Sequence, residues 1–293
     1  MKIVTIKGGL GNQMFCYAFA ISLQQRYKNE VIKLDVSSFK NDPFNRDYEL
    51  EMVFGSILPL ATPKELRKLT WYSNSPFIKR VLRKIFGNKK TEYFEPKLFT
   101  YWGIQTFSIA GDCFYWGSWQ NEKYFKEYQS VVRDAFRFKK DLGEKNSQLL
   151  QEIKNTQSVS IHVRRDDYIK IPTYQGICEL PYYQKAIDYI KEHVDKPHFY
   201  IFSTDTQWCI DNLKSLIPEG RFTMVNWNSG DNSYKDMQLM SQCKHNIIAH
   251  SSFSWWSAWL NENSDKIVVC PRKWVNMANI DETPQLDEWI KID

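Results

Sequence analysis

The second half of the chain alternates short β-branched and aromatic segments with amphipathic segments, and this alternation constrains the fold more than any other feature. Strands are predicted at 159–163, 198–203, 222–225, 246–249 and 266–270. Helices are predicted between them at 181–193, 206–216, 234–242 and 252–261. Such an alternation predicts an α/β fold with a parallel sheet and helices on both faces. In a sheet of this kind, ligands bind beyond the carboxyl ends of the strands.

Two arginines follow the first of these strands. The segment Val159–Tyr168, VSIHVRRDDY, alternates apolar and polar residues and then becomes charged. Arginine presents a planar fork of donors that binds phosphate oxygens in a bidentate way. This favours Arg164 as a phosphate ligand, with Arg165 either assisting it or holding the loop. The alternative is a surface cluster in which both arginines pair with Asp166 and Asp167.

A serine-rich segment follows the fourth predicted strand. Ser251–Leu260, SSFSWWSAWL, opens a predicted helix with Ser251, Ser252, Phe253 and Ser254. Hydroxyls, free N–H groups and the helix dipole at such a start form an anion site. The alternative is that a serine only caps the helix. The tryptophans of this helix, Trp255, Trp256 and Trp259, are expected to pack in the core.

The first 35 residues are typical of a mononucleotide-binding unit. A strand at 3–6 leads through a glycine turn to a helix that Asn12 can cap, and a second strand ends at Asp35. An acid at this spacing after Gly11 is also found in dinucleotide sites, so an NAD-dependent oxidoreductase is an alternative. The third glycine of that fingerprint is missing, because Met14 occupies its position.

Three segments together resemble the α-1,2-fucosyltransferase family of bacteria and animals. His162–Tyr168 is similar to the His-x-Arg-Arg-x-Asp signature of GDP-fucose-dependent fucosyltransferases, and Gly8–Phe15 and Ser251–Leu260 match two further blocks in the same order. One departure is visible, since the family usually has glycine where this chain has Asp166. Glycine reaches positive φ freely and aspartate less so.

The resemblance implies a fold, a binding role for each domain and a reaction. The fold is GT-B, two Rossmann-like domains facing across a cleft, with residues 1–145 binding the acceptor and residues 148–293 binding GDP-fucose. The reaction is inverting transfer of L-fucose from GDP-β-L-fucose to the 2-hydroxyl of a terminal galactose in an oligosaccharide or lipid-linked glycan. A nucleotide- or glycan-binding module without catalysis is the alternative from another class.

Three further residues are expected at the donor. Guanine presents N1–H and N2–H donors that one carboxylate can accept, and Asp236 matches the position used in this way in related fucosyltransferases. His162 is expected to bond the base or the ribose. Asp205 resembles a residue near the donor in the family, although it can equally cap the helix that follows.

The expected catalysis is independent of metal ions and of other cofactors. The sequence contains no Asp-x-Asp triplet, so Arg164 and the helix start would stabilise the leaving GDP. Asp167 is the candidate base for the attacking hydroxyl. Asn12 is the alternative, with Gln13, as an acceptor or positioner.

Composition and charge limit the cellular compartment and the binding partners that can be expected. The six cysteines form no Cys-x-x-Cys pair, which favours reduced thiols in a cytoplasmic protein; a metal site at Cys243, His245 and His250 is the remote alternative. The N-terminus has no signal-peptide core, and no apolar run is long enough to span a membrane. The net charge of +5 combines +8 in residues 64–90 with −3 elsewhere, and no nucleic-acid-reading module is present, so nucleic acid is not an expected partner.

The first half of the chain has a less regular pattern. Residues 37–100 are predicted to be irregular apart from 76–86, a helix is predicted from about residue 121 to 135, and residues 136–147 are the linker candidate. Residues 76–86 predict a basic amphipathic helix. Six apolar residues fall on one half of the helical wheel and four Lys or Arg on the other. A helix of this type lies in a membrane interface, which would place the protein on the inner face of the cytoplasmic membrane. The alternative is an ordinary helix with its apolar side on the core.

Overall fold

The computed structural model describes the chain except for residues 43, 45, 56, 57, 74, 166 and 167. It contains two compact units. The first comprises Met1–Lys139 with Ile280–Glu282, and the second comprises Lys140–Asn279 with Thr283–Asp293. None of the described helices is long and apolar enough to cross a membrane.

The first unit is a parallel sheet with helices. Its elements are β1 (Lys2–Thr5), α1 (Leu10–Arg26), β2 (Ile32–Asp35), α2 (Leu50–Phe54), α3 (Pro63–Leu69), α4 (Pro76–Phe86), β3 (Glu92–Phe94), β4 (Cys113–Trp116) and α5 (Gln129–Ala135). Among the described residues the sheet has four strands in the order β2-β1-β4-β3, all parallel.

Helix α1 is the centre of the first unit. Of its 17 residues, 13 are buried, which is the pattern of a helix that is surrounded by protein. Phe19 stacks on Trp119 with ring centroids 4.1 Å apart, and Tyr124 meets both rings edge to face. Aromatic residues make up 15% of the chain, and part of them fills this core.

The second unit contains the predicted alternation. Its elements are α6 (Glu144–Asn155), β5 (Gln157–Val163), α7 (Leu180–His193), β6 (Pro197–Ser203), α8 (Thr206–Leu213), β7 (Phe222–Val225), α9 (Tyr234–Ser241), β8 (His245–Ile247), α10 (Ser252–Leu260), β9 (Val268–Pro271) and β10 (Ile290–Ile292). In the described part of the chain these strands form one parallel sheet in the order β10-β9-β8-β5-β6-β7.

Strand β5 shows how the sequence sets the two faces of this sheet. Val159, Ile161 and Val163 pack with residues of α7 and α8 in one hydrophobic cluster. A second cluster joins α6 and α9 to residues of β6 and β7. Successive side chains of a strand point to opposite faces, so His162 faces away from the first cluster.

The strand order reverses beside β5. The chain passes from β5 to β6 and β7 on one side, and later strands β8, β9 and β10 lie on the other side. A crevice forms at such a switch point, beyond the carboxyl ends of the two strands on either side of it. Here those strands are β5 and β8.

The structure differs from the sequence-based expectations in three segments. Residues 37–100, expected to be irregular apart from 76–86, also contain α2, α3 and β3; α3 begins with a capping box in which Thr62 and Glu65 bond each other's backbone N–H groups. The expected linker at 136–147 ends early, because α6 begins at Glu144 and buries Leu149 and Ile153. The helix expected from residue 121 is two short 3₁₀ turns followed by α5.

Candidate active site

The switch point in the second unit brings together two of the predicted motifs. Arg164 follows the last residue of β5, and Ser251 lies four residues after the end of β8. The two strands are parallel neighbours, with Ile161 paired to Ile247. The arginine motif and the serine motif therefore lie at the same edge of one sheet.

Arg165 is held inside the unit by two carboxylates and one ring. Its Nη1 donates to Glu179 Oε2 at 2.9 Å and its Nε donates to Asp205 Oδ2 at 3.2 Å. Its guanidinium carbon lies 4.3 Å from the centroid of the Trp208 ring. The guanidinium group of Arg165 is therefore bonded to two carboxylates and stacked on one ring, which fixes Arg165 at the end of β5. This matches the interpretation of Arg165 as a residue that holds the loop.

Asp205 is bonded at both carboxylate oxygens. Oδ2 accepts from Arg165, and Oδ1 accepts from the Trp208 backbone N–H at 3.3 Å, which caps α8. The capping role that the sequence allowed is therefore present, together with an ion pair that the sequence did not indicate. We infer that Asp205 positions Arg165.

Arg164 lines a pocket at this edge. The pocket is shallow and open to solvent, and Tyr168, Tyr174, Cys178 and His250 line it as well. The Arg164 guanidinium carbon lies 5.4 Å from the centroid of the Tyr168 ring, and Tyr168 stacks on Tyr174 at 4.5 Å. This arrangement presents a cation beside two aromatic faces.

Two buried histidines, His162 and His250, lie near Arg164, and His250 lines the pocket. Burial, with the nearby charges of Arg164 and His250, lowers the pKa of His162 to about 3. Burial lowers the pKa of His250 to about 4, although the nearby Tyr174 backbone opposes the shift. Both imidazoles are therefore neutral at physiological pH, so each has one donor and one acceptor nitrogen.

Each histidine has one nitrogen without a hydrogen-bond partner among the described residues, Nδ1 of His162 and Nε2 of His250. The other side of His250 is occupied, because its Nδ1 lies 3.1 Å from Cys178 Sγ. The His162 ring lies 5.6 Å from that of Phe253 at the start of α10. Unsatisfied buried nitrogens at the edge of a pocket are positions where a ligand can supply the missing bond.

Two hydroxyl groups of the serine motif form hydrogen bonds within the second unit. The Ser251 hydroxyl caps α10 by accepting from the Phe253 N–H at 3.3 Å. The buried Ser254 hydroxyl donates to the carbonyls of Ala249 and Ser251. Ser252 and Phe253 remain partly exposed on the first turn, while the three tryptophans are buried as expected.

Asp236 lies at the same edge, because it belongs to the first turn of α9, which follows β7. Burial raises the pKa of its carboxyl group to about 7, although a hydrogen bond from Asn228 Nδ2 at 2.7 Å opposes the shift. Asn228 is fixed in turn by Asn146, whose Oδ1 also accepts from the Trp227 ring N–H at 2.8 Å. Binding of two further N–H donors would stabilise the carboxylate form.

The glycine turn of the first unit is stabilised by amide groups. Gly8 has φ +76°, and a Cβ at this residue would lie 2.7 Å from Asn12 Nδ2. Gln120 Nε2 donates to Asn12 Oδ1 at 2.8 Å. Gln13 Nε2 donates to the carbonyls of Gly8 and Asp47. This network fixes the backbone of the turn at the carboxyl end of β1.

The expected cap of α1 is wrong. The helix begins at Leu10, its N-cap is Gly9, and no side chain caps it. Asn12 lies inside the first turn, where its oxygen accepts from Gln120 and so is not directed at the helix N–H groups. Asp35 is buried and accepts from the Ser37 N–H, as expected of a residue that stabilises the turn after β2.

Two predicted residues lie outside the described residues, namely Asp167, the candidate base, and its neighbour Asp166. In the described part of the chain, no three His, Cys, Asp or Glu side chains are grouped so that they could hold a metal ion. His245 accepts from the Ile267 N–H and His250 contacts Cys178, so neither is grouped with Cys243 as a ligand set. All six cysteines are free and buried.

Sequence reasoning missed several residues that shape these edges. Glu179 and Trp208 hold Arg165, and Asn228 holds Asp236, although none of them belongs to a recognisable motif. In the first unit, Glu95 follows β3 and accepts from the Ser118 N–H at 2.6 Å, and burial raises the pKa of its carboxyl group. Because no strand was predicted at 92–94, the sequence carried no signal for Glu95.

Comparison with known proteins identifies the family. The family model described as Glycosyl transferase family 11 matches residues 1–293. The chain belongs to this family. Its sequence is 32% identical to the O-antigen biosynthesis glycosyltransferase WbnK of Escherichia coli, over 98% of this chain and 99% of that protein.

Two further relatives differ in the sugar that their names specify. An alpha-1,2-colitosyltransferase of Escherichia coli is 31% identical over 99% of this chain and 98% of its own length. Galactoside alpha-(1,2)-fucosyltransferase 1 of Oryctolagus cuniculus is 23% identical over 86% of this chain and 62% of its own length. The resemblance to α-1,2-fucosyltransferases is thus confirmed at the level of the family.

Solved structures confirm the fold class. The fucosyltransferase NodZ from Bradyrhizobium superposes with a TM-score of 0.55 at 15% identity, over 87% of this chain and 91% of that chain. A NodZ alpha-1,6-fucosyltransferase soaked with GDP-fucose gives 0.54 at 17% identity, over 88% and 91%. The protein therefore has the GT-B fold of glycosyltransferases, with two α/β units built on parallel sheets.

Proposed function

We propose that the protein transfers L-fucose from GDP-β-L-fucose to the 2-hydroxyl of a terminal galactose in a glycan. The observation that carries the proposal is the edge of the second sheet at its switch point. There, in a member of glycosyl transferase family 11, Arg164 follows β5 and the start of α10 follows β8, while Asp236 follows β7 farther along the same edge. These groups match a diphosphate and a guanine, the two parts of GDP that require recognition.

In this proposal the second unit binds the donor and the first unit binds the acceptor. Arg164 contacts the diphosphate, with the partly exposed first turn of α10 as a second anion site. Arg165, fixed by Glu179 and Asp205, holds the loop that carries Arg164. His162 offers its unpartnered Nδ1 to the base or the ribose.

The guanine is assigned to Asp236. A carboxylate accepts N1–H and N2–H in parallel, whereas adenine has an acceptor at N1 and no N2 amine. Burial raises the pKa of Asp236 because it disfavours the charged form of the carboxyl group. Two new N–H donors from guanine would stabilise that charged form, so the raised pKa supports the assignment. The orientation of this carboxylate is set by Asn228 before any ligand arrives.

Catalysis in this scheme stabilises the departing GDP with protein charge. Positive charge from Arg164 and the N-terminal dipole of α10 would act on the diphosphate as the glycosidic bond breaks. The acceptor hydroxyl attacks from the opposite face and inverts the anomeric centre, and its proton goes to a base for which Asp167 is our candidate. Asn12 and the fixed glycine turn would position the acceptor.

A second candidate differs only in the transferred sugar. The alpha-1,2-colitosyltransferase is 31% identical over nearly the whole chain, whereas the rabbit galactoside alpha-(1,2)-fucosyltransferase is 23% identical over a smaller part. The residues assigned to GDP do not distinguish the two candidates, because both sugars can be carried by the same nucleotide. Colitosyl transfer with the same α-1,2 linkage is therefore the alternative to be tested.

One experiment decides between these candidates. The protein is incubated with β-galactosides and with either GDP-fucose or GDP-colitose, and products are identified by mass spectrometry and linkage analysis. An α-1,2-fucosyl galactoside, formed with higher kcat/KM from GDP-fucose, is the expected result. Preference for GDP-colitose would establish the alternative, and hydrolysis or binding without transfer to any acceptor would contradict both.

A further inference from the structure

Helix α4 packs on its own unit through its positively charged side. Lys79 Nζ lies 4.0 Å from the centroid of the Trp116 ring, and the Arg83 guanidinium carbon lies 5.1 Å from the same ring. Arg83 also pairs with Glu92 at 2.5 Å. Lys79 and Arg83 are four residues apart and so lie on one face of the helix. Both side chains are half-buried.

The apolar side of the same helix faces outward. Phe77 is 71% exposed, Ile85 is 65% exposed and Ile78 is 48% exposed. No described side chain of α4 is fully buried. An amphipathic helix on a globular protein ordinarily does the opposite and buries its apolar stripe. The simple interpretation of residues 76–86, with the apolar side on the core, therefore does not hold.

Cations flank the exposed apolar side chains. Arg80 and Lys84 are exposed and lie one turn apart beside Phe77. The segment 64–90 as a whole has a net charge of +8, while the rest of the chain sums to −3. Four other cations of this segment are also exposed, namely Lys64, Arg67, Lys68 and Lys90. The surface around α4 therefore combines exposed apolar side chains with concentrated positive charge.

The helix is already formed in the unbound protein. Ser75 Oγ accepts from the Ile78 N–H at the start of α4, and Gly87, with φ +69°, ends it by donating to the Arg83 carbonyl. The Trp71 ring N–H donates to the Gly87 carbonyl at 2.8 Å and ties the end of the helix to the unit. Docking through α4 would therefore carry no cost of folding the helix on contact.

We propose that α4 docks the first unit onto a bilayer surface that contains anionic lipid. Phe77, Ile78 and Ile85 enter the boundary between headgroups and acyl chains, and Arg80 and Lys84 bind headgroup phosphates. A second copy of the chain is disfavoured as the occupant, because a symmetric contact would oppose two segments of charge +8. The proposal rests on α4 alone and is independent of the transferred sugar.

The test is co-sedimentation with vesicles of phosphatidylcholine alone or mixed with phosphatidylglycerol. The wild-type protein is expected to bind the mixed vesicles at low salt and to be released by high salt. It should bind vesicles of phosphatidylcholine alone only weakly. Phe77→Ser with Ile85→Ser should weaken binding more than about tenfold, because two apolar side chains no longer enter the boundary. Arg80→Gln with Lys84→Gln should weaken it about fivefold for each cation and reduce the salt dependence.

Matched controls separate docking from general effects of substitution. Val31→Ser with Ile104→Ser removes two apolar side chains of the first unit that are 53% and 58% exposed, and Lys28→Gln with Lys139→Gln removes two exposed cations. Both control variants should bind mixed vesicles like the wild type. Unfolding curves and sugar transfer to a soluble acceptor should be unchanged in all four double variants, because none of these residues is assigned to the active site.

Three results would overturn the proposal. One is a wild-type protein that fails to bind the mixed vesicles. Another is vesicle binding that Phe77→Ser with Ile85→Ser leaves intact. The third is a wild-type dimer that the same variant converts to a monomer in size-exclusion chromatography without any vesicle binding, which would make a second copy the occupant.

Discussion

The carboxyl edges of the two sheets have different chemistry although both follow parallel strands. The edge of the second unit carries Arg164, Arg165 and Asp236. Arg165 is fixed by two carboxylates, and burial raises the pKa of Asp236. The turn after β1 in the first unit is stabilised by neutral amides instead, those of Asn12 and Gln13. The edge of the second unit is organised around charge, whereas the glycine turn of the first unit is organised around a fixed backbone.

This difference agrees with the proposed division between donor and acceptor. A nucleoside diphosphate requires cations and a base-reading carboxylate, whereas a sugar hydroxyl requires hydrogen bonds and a shaped surface. Fixing Gly8 with φ +76° beside Asn12 is one way to provide a surface to which a sugar can approach closely. The predictions below test the two edges separately.

The largest effect is expected for Arg164→Lys. Lysine keeps the positive charge but loses the bidentate fork, and one lost charge-assisted contact costs about 1.5–3 kcal/mol, or roughly 10- to 150-fold in kcat/KM. Steady-state kinetics with GDP-fucose measure the loss, with Arg272→Lys as a matched control on an exposed arginine of the same unit. Wild-type kcat/KM in a folded Arg164→Lys protein would exclude Arg164 as the phosphate ligand.

Arg165→Lys should behave differently from its neighbour. Its guanidinium bonds Glu179 and Asp205 and stacks on Trp208, so its loss should lower the free energy of unfolding as well as activity. The Glu179 carboxylate is partly exposed, so we expect the stability change to be only about 1 kcal/mol. Thermal unfolding of the two variants measures the contrast. Equal stability of both would show that Arg165 does not hold the loop.

Asp236→Asn should reduce the preference for GDP over ADP. The substitution replaces one acceptor oxygen with a donor, and removing a partner from a buried polar pair costs about 1–3 kcal/mol, roughly five- to more than a hundredfold in affinity. Titration calorimetry should show weaker GDP binding and nearly unchanged ADP binding. An unchanged GDP-to-ADP ratio would mean that the base is read elsewhere.

The pH dependence of the same ratio provides a second test. Burial raises the pKa of Asp236 to about 7. Below that pH the carboxyl group is protonated in the free protein, and guanine binding must release this proton. The GDP-to-ADP affinity ratio should therefore increase about tenfold per pH unit up to about pH 7 and then level off. ADP controls for ionisation of the phosphates. Asp236→Asn should abolish the slope, and a flat wild-type ratio between pH 5.5 and about 8 would contradict the assignment.

The sequence predicted the second unit better than the first, for a physical reason. Buried parallel strands are nearly continuous apolar runs, and the strand predicted at 198–203 is observed as β6, in which six of the seven residues are buried. Helices α2 and α3 are short, at five and seven residues, and too short for a clear period. The role of Arg165 depends on Glu179 and Asp205, which only the tertiary structure brings to it.

A smaller effect, on stability, is expected from the glycine turn of the first unit. Gly8→Ala places a side chain at φ +76° and 2.7 Å from Asn12 Nδ2, and the left-handed conformation alone costs about 1–2 kcal/mol. Gly9→Ala is the matched control, because Gly9 has φ −72° and open space around it. Denaturant unfolding should therefore distinguish the two variants. Equal stability would show that the turn is not fixed as described.

The smallest effect is expected from removal of divalent metal ions. If Arg164 and the start of α10 supply the positive charge that the departing GDP requires, transfer should be unchanged by EDTA within the error of the assay. Purified protein is assayed with GDP-fucose before and after chelation, and then with added Mn²⁺ or Mg²⁺. Activity lost on chelation and restored by Mn²⁺ would show that the charge at this edge is completed by a metal ion. The contrast between the two edges would then depend on a bound cation as well as on side chains.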